Sequence, residues 1–233
     1  MDVLGVRVDN FEKKEILEKI GFFLDEDKFC QIATINPEFV LQAQKDEKFK
    51  NILNNCDLNI ADGIGIRFAF WRFGKKLKCR MTGIDLMQEI LKIANKKELK
   101  IFLVSNSGGL SNYEETRTAI LKKYPNIEVH GINLDKDNTK YQVQDADYQI
   151  LFCNFGAPFQ EKFLNSLKDG KIKLAVGVGG SFDYLTGKLQ RAPKWMQFFG
   201  VEWFWRLILQ PKRIGRIFNA VIVFPVKILT KSK

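Results

Sequence analysis

Asp62 is the side chain in this sequence best placed to accept a proton. It follows a strand-like stretch, DLNIA (57–61), precedes Gly63 and sits among apolar neighbours. Burial disfavours a charged carboxylate, so such a group can take up a proton near neutral pH. The same residue would also serve as an Asx turn or as the cap of a helix over 64–73; chemistry alone leaves both readings open. Arg206, Arg213 and Arg216 form a second feature, since guanidinium forks match phosphate oxygens. Their spacings of seven and three put them on one helical face if the helix is continuous, but Pro211 lies between them and predicts a break. A third feature is Gly177-Val178-Gly179-Gly180 after a strand-like run. Its backbone N–H groups can meet a phosphate, or the segment is simply a tight turn. It is not a complete G-x-G-x-x-G, because Phe182 holds the third position.

Other chemistries find little support. The D-x-D pairs Asp25/Asp27, Asp135/Asp137 and Asp145/Asp147 fall at helix ends and in polar loops, and read as solvated charge rather than a cation site. Cys30, Cys56, Cys79 and Cys153 form no C-x-x-C, and with His130 as the one histidine no zinc-type cluster assembles. We expect reduced thiols, a structural or exposed His130, no metal and no cofactor. Walker A, G-x-S-x-G and H-E-x-x-H patterns are absent.

These residues need elements to hold them. VLGVRVD (3–9) alternates like a strand, and Asn10 is placed to cap a helix to about Leu24. Runs of strand length follow at 29–35, 57–61, 100–105, 127–132, 148–153 and 173–180. Helices fall between them: one from Pro37 behind Asn36, one over 46–55, one over 64–73, one begun by Thr82 and Asp85 in a T-x-x-D box, one ending at Tyr124 before Pro125, and one over 161–167. Alternation of this kind predicts an α/β fold: a mainly parallel, Rossmann-like sheet with helices on both faces. Ligands of such sheets bind beyond the carboxyl ends of the strands. Thr34–Glu38, Ala61–Gly65, Ser105–Gly109 and Gly177–Asp183 should meet there.

Length and charge fit this plan. The 233 residues are 45% apolar and 27% charged, which suits a globular chain burying roughly 70% of its unfolded surface. No uncharged run is long enough to span a bilayer, and the N-terminus does not read as a secretory signal. The net charge of +10 is uneven. Residues 188–233 carry ten basic side chains and one acid, Glu202, so nearly all the excess lies there. That segment also packs Trp195, Phe198, Phe199, Trp203, Phe204 and Trp205 into eleven residues. We expect an α/β domain over 1–187 and a basic, aromatic-rich helical appendage over 188–233, with two or three helices in 193–230. Basic residues beside aromatics and the stretch IFNAVIVFPVKIL (217–229) describe a segment lying on an anionic membrane. Core packing and nucleic-acid binding are the competing uses; no helix-turn-helix, zinc finger or RNP pattern supports the latter.

Six stretches together, TINPEFV (34–40), ADGIGI (61–66), RMTGIDLM (80–87), FGAPFQE (155–161), GVGGSFDYLTGKLQRAPKWMQFFGVEWFWRL (177–207) and PKRIGR (211–216), resemble the WecG/TagA/CpsF family of bacterial glycosyltransferases over nearly the whole chain. The resemblance implies an inverting, metal-independent, single-displacement transfer of N-acetylmannosamine or a related sugar from a UDP-sugar. The implied acceptor is undecaprenyl-diphosphate-linked N-acetylglucosamine, in teichoic acid or surface polysaccharide synthesis. It implies a peripheral enzyme on the cytoplasmic face of the membrane. Carried over by motif, Asp62 matches the general base, Arg80 the arginine before T-G-x-D, Thr34 and Asn36 the strand-end T-x-N-P motif in the pocket, and Gln160 the glutamine of G-x-P-x-Q. Asp62, Arg80 and Thr34 are the expected catalytic residues, with Arg80 and the tail arginines the candidates to stabilise the departing UDP. Arg206, Arg213 and Arg216 match arginines that complete the site once the membrane is bound. Gly179 and Gly180 are expected near the diphosphate, and Asp183 is a further candidate for nucleotide contact. Another UDP-hexose donor, or a scaffold without catalysis, remains open. So does a homo-oligomer, with Phe70, Trp71 and Phe73 at a subunit contact or over the pocket.

Overall fold

A computed structural model describes residues 1–137, 147–168 and 171–231. Six strands form one parallel sheet: β3 (Cys30–Ile35), β4 (Leu58–Ala61), β5 (Lys100–Asn106), β6 (Glu128–Leu134), β7 (Ile150–Cys153) and β8 (Leu174–Gly177), in the order β4-β3-β8-β7-β5-β6. Side chains alternate across it with the period of two that a strand imposes. Ile32, Ile60, Leu103, Phe152 and Val176 enter one core. Their neighbours Ala33, Ala61, Val104, Cys153 and Ala175 enter the cores on the other face. Burial on both faces explains why these strands read as continuous apolar runs.

The first face is covered by α1 (Lys13–Asp25), α5 (Gly83–Lys97) and α6 (Tyr113–Lys123), through Ile16, Ile20, Leu86, Ile90 and Ile120. The second is covered by α2 (Pro37–Ala43), α3 (Glu47–Asn54), α4 (Ile64–Arg72) and α7 (Phe159–Asn165), through Phe39, Phe49, Phe70 and Phe163. The short α8 (Ser181–Leu185) follows β8. The expected α/β architecture with helices on both faces is therefore present.

Two N-terminal expectations need correction. Residues 3–9 do not form one strand. Leu4 and Gly5 both have left-handed φ, 53° and 80°, and fold β1 (Asp2–Val3) against β2 (Val6–Arg7) as a hairpin outside the main sheet. Asn10 does not cap α1. Its side chain accepts from the Lys78 N–H at 2.8 Å and donates to the Lys76 carbonyl at 3.0 Å, tying down the loop that leads to Arg80. At α1, the Glu15 carboxylate accepts the Glu12 N–H at 2.6 Å instead. The helix expected over 161–167 begins two residues earlier, at Phe159.

The C-terminal segment runs through α9 (Lys194–Phe199), α10 (Glu202–Leu209), a 3₁₀ turn (Pro211–Arg213), α11 (Ile214–Phe218), a π-helical stretch (Asn219–Val223) and α12 (Phe224–Thr230). The π stretch ends two residues before Pro225, which has no N–H to donate. Phe224 and Ile228 are fully buried beside Ile66, Ala69 and Phe70, so α12 is anchored in the core. Phe70 therefore belongs to the core and not to a subunit contact, whereas Trp71 is exposed and Phe73 half-buried. Among the described residues no helix is long and apolar enough to cross a membrane.

Candidate active site

Five of the six parallel strands end at one cleft of about 540 Å³. The segments after β3, β4, β5, β7 and β8 line it, and α10, the 3₁₀ turn, α11 and the π-helical stretch close its outer side. Of the segments expected there, all four contribute.

At the end of β3, Thr34 is buried and Asn36 caps α2, its Oδ1 accepting the Phe39 N–H at 3.1 Å. Pro37 occupies the first turn, where a missing N–H costs nothing. Asn36 thus has a structural task that fixes where the cleft wall begins.

Asp62 leaves β4 with its N–H bonded to the Ile35 carbonyl at 2.8 Å. Of its two open readings, the helix cap is not met: Gly63 is the capping residue of α4 and no side chain caps there. Asp62 faces the cleft instead. Burial, reinforced by the negative charge of Glu202, pushes its carboxyl up to about 7, against the pull of Arg80 and Arg206.

Arg80 reaches across the cleft to the C-terminal segment. It donates to the Gln197 carbonyl at 2.7 Å and meets Glu202 Oε1 at 3.3 Å. Thr82 caps α5 as expected, and its hydroxyl donates to Asp85 Oδ2 at 2.6 Å. Asp85 then pairs with Arg191 at 2.7 Å. Burial opposes the charge on Asp85, but the hydrogen bonds from Arg191 and Thr82 hold its carboxyl below the usual range.

Gln160 is only 2% exposed. Its Oε1 accepts the N–H groups of Gly156 and Gly179, each at 3.0 Å, and its Nε2 donates to Glu161 at 2.6 Å. It holds the loops after β7 and β8 together. The Gly179 N–H is therefore already committed, which leaves Gly180 as the glycine facing the cations. A methyl group at Gly180 would stand 2.6 Å from Arg206 Nη2, so only a glycine admits the guanidinium so close.

The three tail arginines do meet at the cleft, although not on one regular helix. Arg206 lies in α10, Arg213 in the 3₁₀ turn and Arg216 in α11, so the break at Pro211 turns the chain without separating them. Arg206 sits 5.7 Å from the Tyr184 ring and its Nε has no hydrogen-bond partner. Arg216 pairs with Glu38. Arg213 makes no ion pair among the described residues; burial, then repulsion from Arg206 and Arg216, lowers it to about 10. Asp183 lines the same wall, its carboxyl raised by burial and partly held back by Ser111 and Arg206.

This arrangement offers a proton acceptor at the cleft floor and a crowded set of guanidinium groups above it. Such a set suits an anion with several oxygens, such as a diphosphate. Among the described residues no group of three or more His, Cys, Asp and Glu comes together as a metal-binding set. The pair Asp135/Asp137 is an exposed turn, Asp27 and Asp25 lie at the end of α1, and Asp145 falls outside the described residues. His130 is a surface residue bonded to Glu128 at 2.9 Å.

Sequence reasoning did not single out Glu202 or Arg191 for the site. Both act through partners more than a hundred positions away, and only the isolation of Glu202 in a basic segment marked it. Just before Glu202, Gly200, at φ 73°, turns α9 into α10 directly on Ile64, where a side chain would collide.

A profile of the Glycosyl transferase WecG/TagA/CpsF family matches residues 1–233. The chain is 33% identical over 217 residues to the N-acetylglucosaminyldiphosphoundecaprenol N-acetyl-beta-D-mannosaminyltransferase of Bacillus subtilis (strain 168), covering 91% of this chain and 81% of that protein. It is 31% identical over 235 residues to the protein of the same name from Staphylococcus aureus (strain MRSA252), covering 98% and 91%.

Proposed function

The chain belongs to the Glycosyl transferase WecG/TagA/CpsF family, and on that premise we propose that it transfers N-acetylmannosamine from a UDP-sugar to N-acetylglucosaminyl-diphosphoundecaprenol. The names of its relatives support the acceptor and the transferred sugar. The observation that carries the reading is the cleft itself, with a carboxyl of raised pKa, Asp62, and the three arginines Arg206, Arg213 and Arg216 in one lining.

In this reaction Asp62 takes the proton of the acceptor hydroxyl as the oxygen forms its bond to the anomeric carbon. The bond from that carbon to UDP breaks on the opposite side, and UDP departs with the electron pair and one more negative charge. Arg206, Arg213 and Arg216 stabilise that charge, with the Gly180 turn beside them. Arg80 orders the wall next to the base, Thr34 and Asn36 form the β3 side, Gln160 holds the donor loops, and Asp183 lies within reach of the nucleotide.

The chain divides by role into a transferase body over 1–187 and an appendage over 188–233. The appendage rests on the cytoplasmic face of an anionic membrane. Its α11–α12 run turns Ile214, Phe218, Ile222, Val226 and Leu229 outward, and α9 does the same with Phe198 and Phe199. Basic residues flank this apolar surface, the pairing expected of an interfacial segment.

The test is UDP release by the purified chain, given UDP-N-acetylmannosamine and a short-prenyl diphosphate-linked N-acetylglucosamine. Acceptor-dependent release is expected. Release with another UDP-hexose alone would replace the donor, and silence across a panel of UDP-sugars would overturn the reading.

A further inference from the structure

Glu202 is the only acid in residues 188–233. It opens α10, a position where a carboxylate is favoured by the helix N-terminus. That preference explains a carboxylate at this turn but not its direction. Glu202 points into the cleft and meets Arg80 at 3.3 Å, while the same guanidinium donates to the Gln197 carbonyl of α9 at 2.7 Å. One arginine of the body is thus held by two groups of the C-terminal segment. It is also one of the two cations whose field reaches Asp62.

We infer that Glu202 is a positioning residue for the proton-accepting carboxylate: by pairing with Arg80 it holds that guanidinium to the C-terminal segment and so sets how readily Asp62 takes up a proton. The inference rests on the proposed role of Asp62. Its physical content is a redistribution of charge. Without the Glu202 charge, Arg80 is an unneutralised cation near Asp62, and an opposite charge holds a carboxylate ionised and weakly basic. With it, Glu202 neutralises Arg80 and adds a like charge near Asp62. Each of these makes the carboxylate hold a proton more tightly.

The groups that face Asp62 are Arg80 from the loop before α5, Asp85 from α5, and Glu202 and Arg206 from α10. Asp85 is tied to Arg191, and Arg206 stands over Gly180 and Tyr184. Glu202 is therefore the acid whose removal changes the field at Asp62 most simply. A base works best when its pKa lies near the working pH.

The experiment titrates the Asp62 carboxyl in the full-length chain by ¹³C NMR of aspartate-labelled protein, with Asp62→Asn identifying the signal. No substrate is needed, so the result stands apart from whether the proposed reaction is right. In Glu202→Gln, which keeps the size and the contact with Arg80, the midpoint should fall from near 7 by about half a unit or more. The acid limb of UDP release should move with it. Glu202→Asp, which keeps the charge, should stay close to the wild type. Should the glutamine variant fail to fold, Glu202→Ala gives the same readout. An unmoved midpoint in a folded, charge-removed variant overturns the inference and leaves Glu202 as a latch alone. Wild-type turnover in Asp62→Asn would instead remove the proposed base.

Discussion

One oxygen of Gln160 holds two strand-end loops, and Glu161 holds Gln160. Gln160 Oε1 accepts the N–H groups of Gly156 and Gly179, and its Nε2 donates to Glu161 Oε1 at 2.6 Å. Glu161 is 1% exposed, its second oxygen has no partner, and burial pushes its carboxyl up to about 7. Without an acceptor at position 161 the buried Gln160 Nε2 loses its hydrogen-bond partner, and the amide that spans the two loops is left held at one end only.

The first prediction follows from that pair. Gln160→Ala strands two N–H groups, at a cost of about 1–3 kcal/mol each. It should lower the melting temperature and weaken UDP-sugar binding. Glu161→Gln still offers an acceptor and should bind nearly as the wild type, whereas Glu161→Leu should not. Calorimetric titration with the donor separates the two; equal affinity in the leucine variant would show that the amide needs no such support.

A second prediction concerns Asp62 and pH. The carboxylate must be ionised to take a proton, so turnover should fall as pH drops through about 7. Asp62→Asn should lose about 10²–10⁴-fold in kcat with donor affinity kept. Stability should move the other way. A carboxyl whose folded pKa is raised contributes stability below its unfolded pKa and loses it as pH rises through the folded value. The asparagine variant should therefore melt higher than the wild type at pH 8, with the gain fading toward pH 4. Melting curves at the two pH values check this, and a variant less stable at pH 8 would contradict the assigned burial.

A third prediction uses Arg213, which has no acid to pair with among the described residues and is held down to about 10 by burial and its neighbouring arginines. A polyanion relieves that repulsion. UDP at about a hundred times its Kd should stabilise the chain by about 2.7 kcal/mol, and Arg213→Ala should shrink that shift while lowering kcat about 10²–10³-fold. Arg213→Lys keeps the charge but not the fork, and should recover only part of the loss. A full UDP-induced shift in the alanine variant would remove Arg213 from the anion site.

Local chemistry made much of this fold legible. Asn36-Pro37 and Thr82-x-x-Asp85 declare their helix starts within four residues, and the apolar strands declare a sheet buried on both faces. Errors arose where one residue overrode a pattern. Leu4-Gly5 bends an alternating run into a hairpin, and Asn10 has an ordinary cap residue's chemistry but spends it on the 76–78 loop. In the site, Asp62 was readable because a strand end and a glycine flank it. Glu202 and Arg191 were not, because Arg80 and Asp85 meet them, more than a hundred positions on, only once the chain beyond α8 has folded back onto the cleft. The convergence of Arg206, Arg213 and Arg216 likewise depends on a turn at Pro211 that the sequence predicts but whose direction it does not give.

The last prediction concerns the outward face of α9. Phe198 and Phe199 are 80% and 65% exposed and touch each other edge to face. Changing both to serine leaves the core intact, so folding stability should shift by no more than about 0.5 kcal/mol per site. Burial of a phenylalanine in an apolar medium is worth about 1.5–3 kcal/mol, so the double variant should bind anionic vesicles on the order of 10²-fold more weakly. The flanking basic residues add about 1 kcal/mol each near an anionic surface, and that part should vanish in neutral vesicles or high salt while the phenylalanine part persists. Sedimentation with vesicles of both compositions resolves the two contributions. Undiminished binding by the double variant to anionic vesicles would move the contact away from α9, and activity on a water-soluble acceptor should be unchanged in either case.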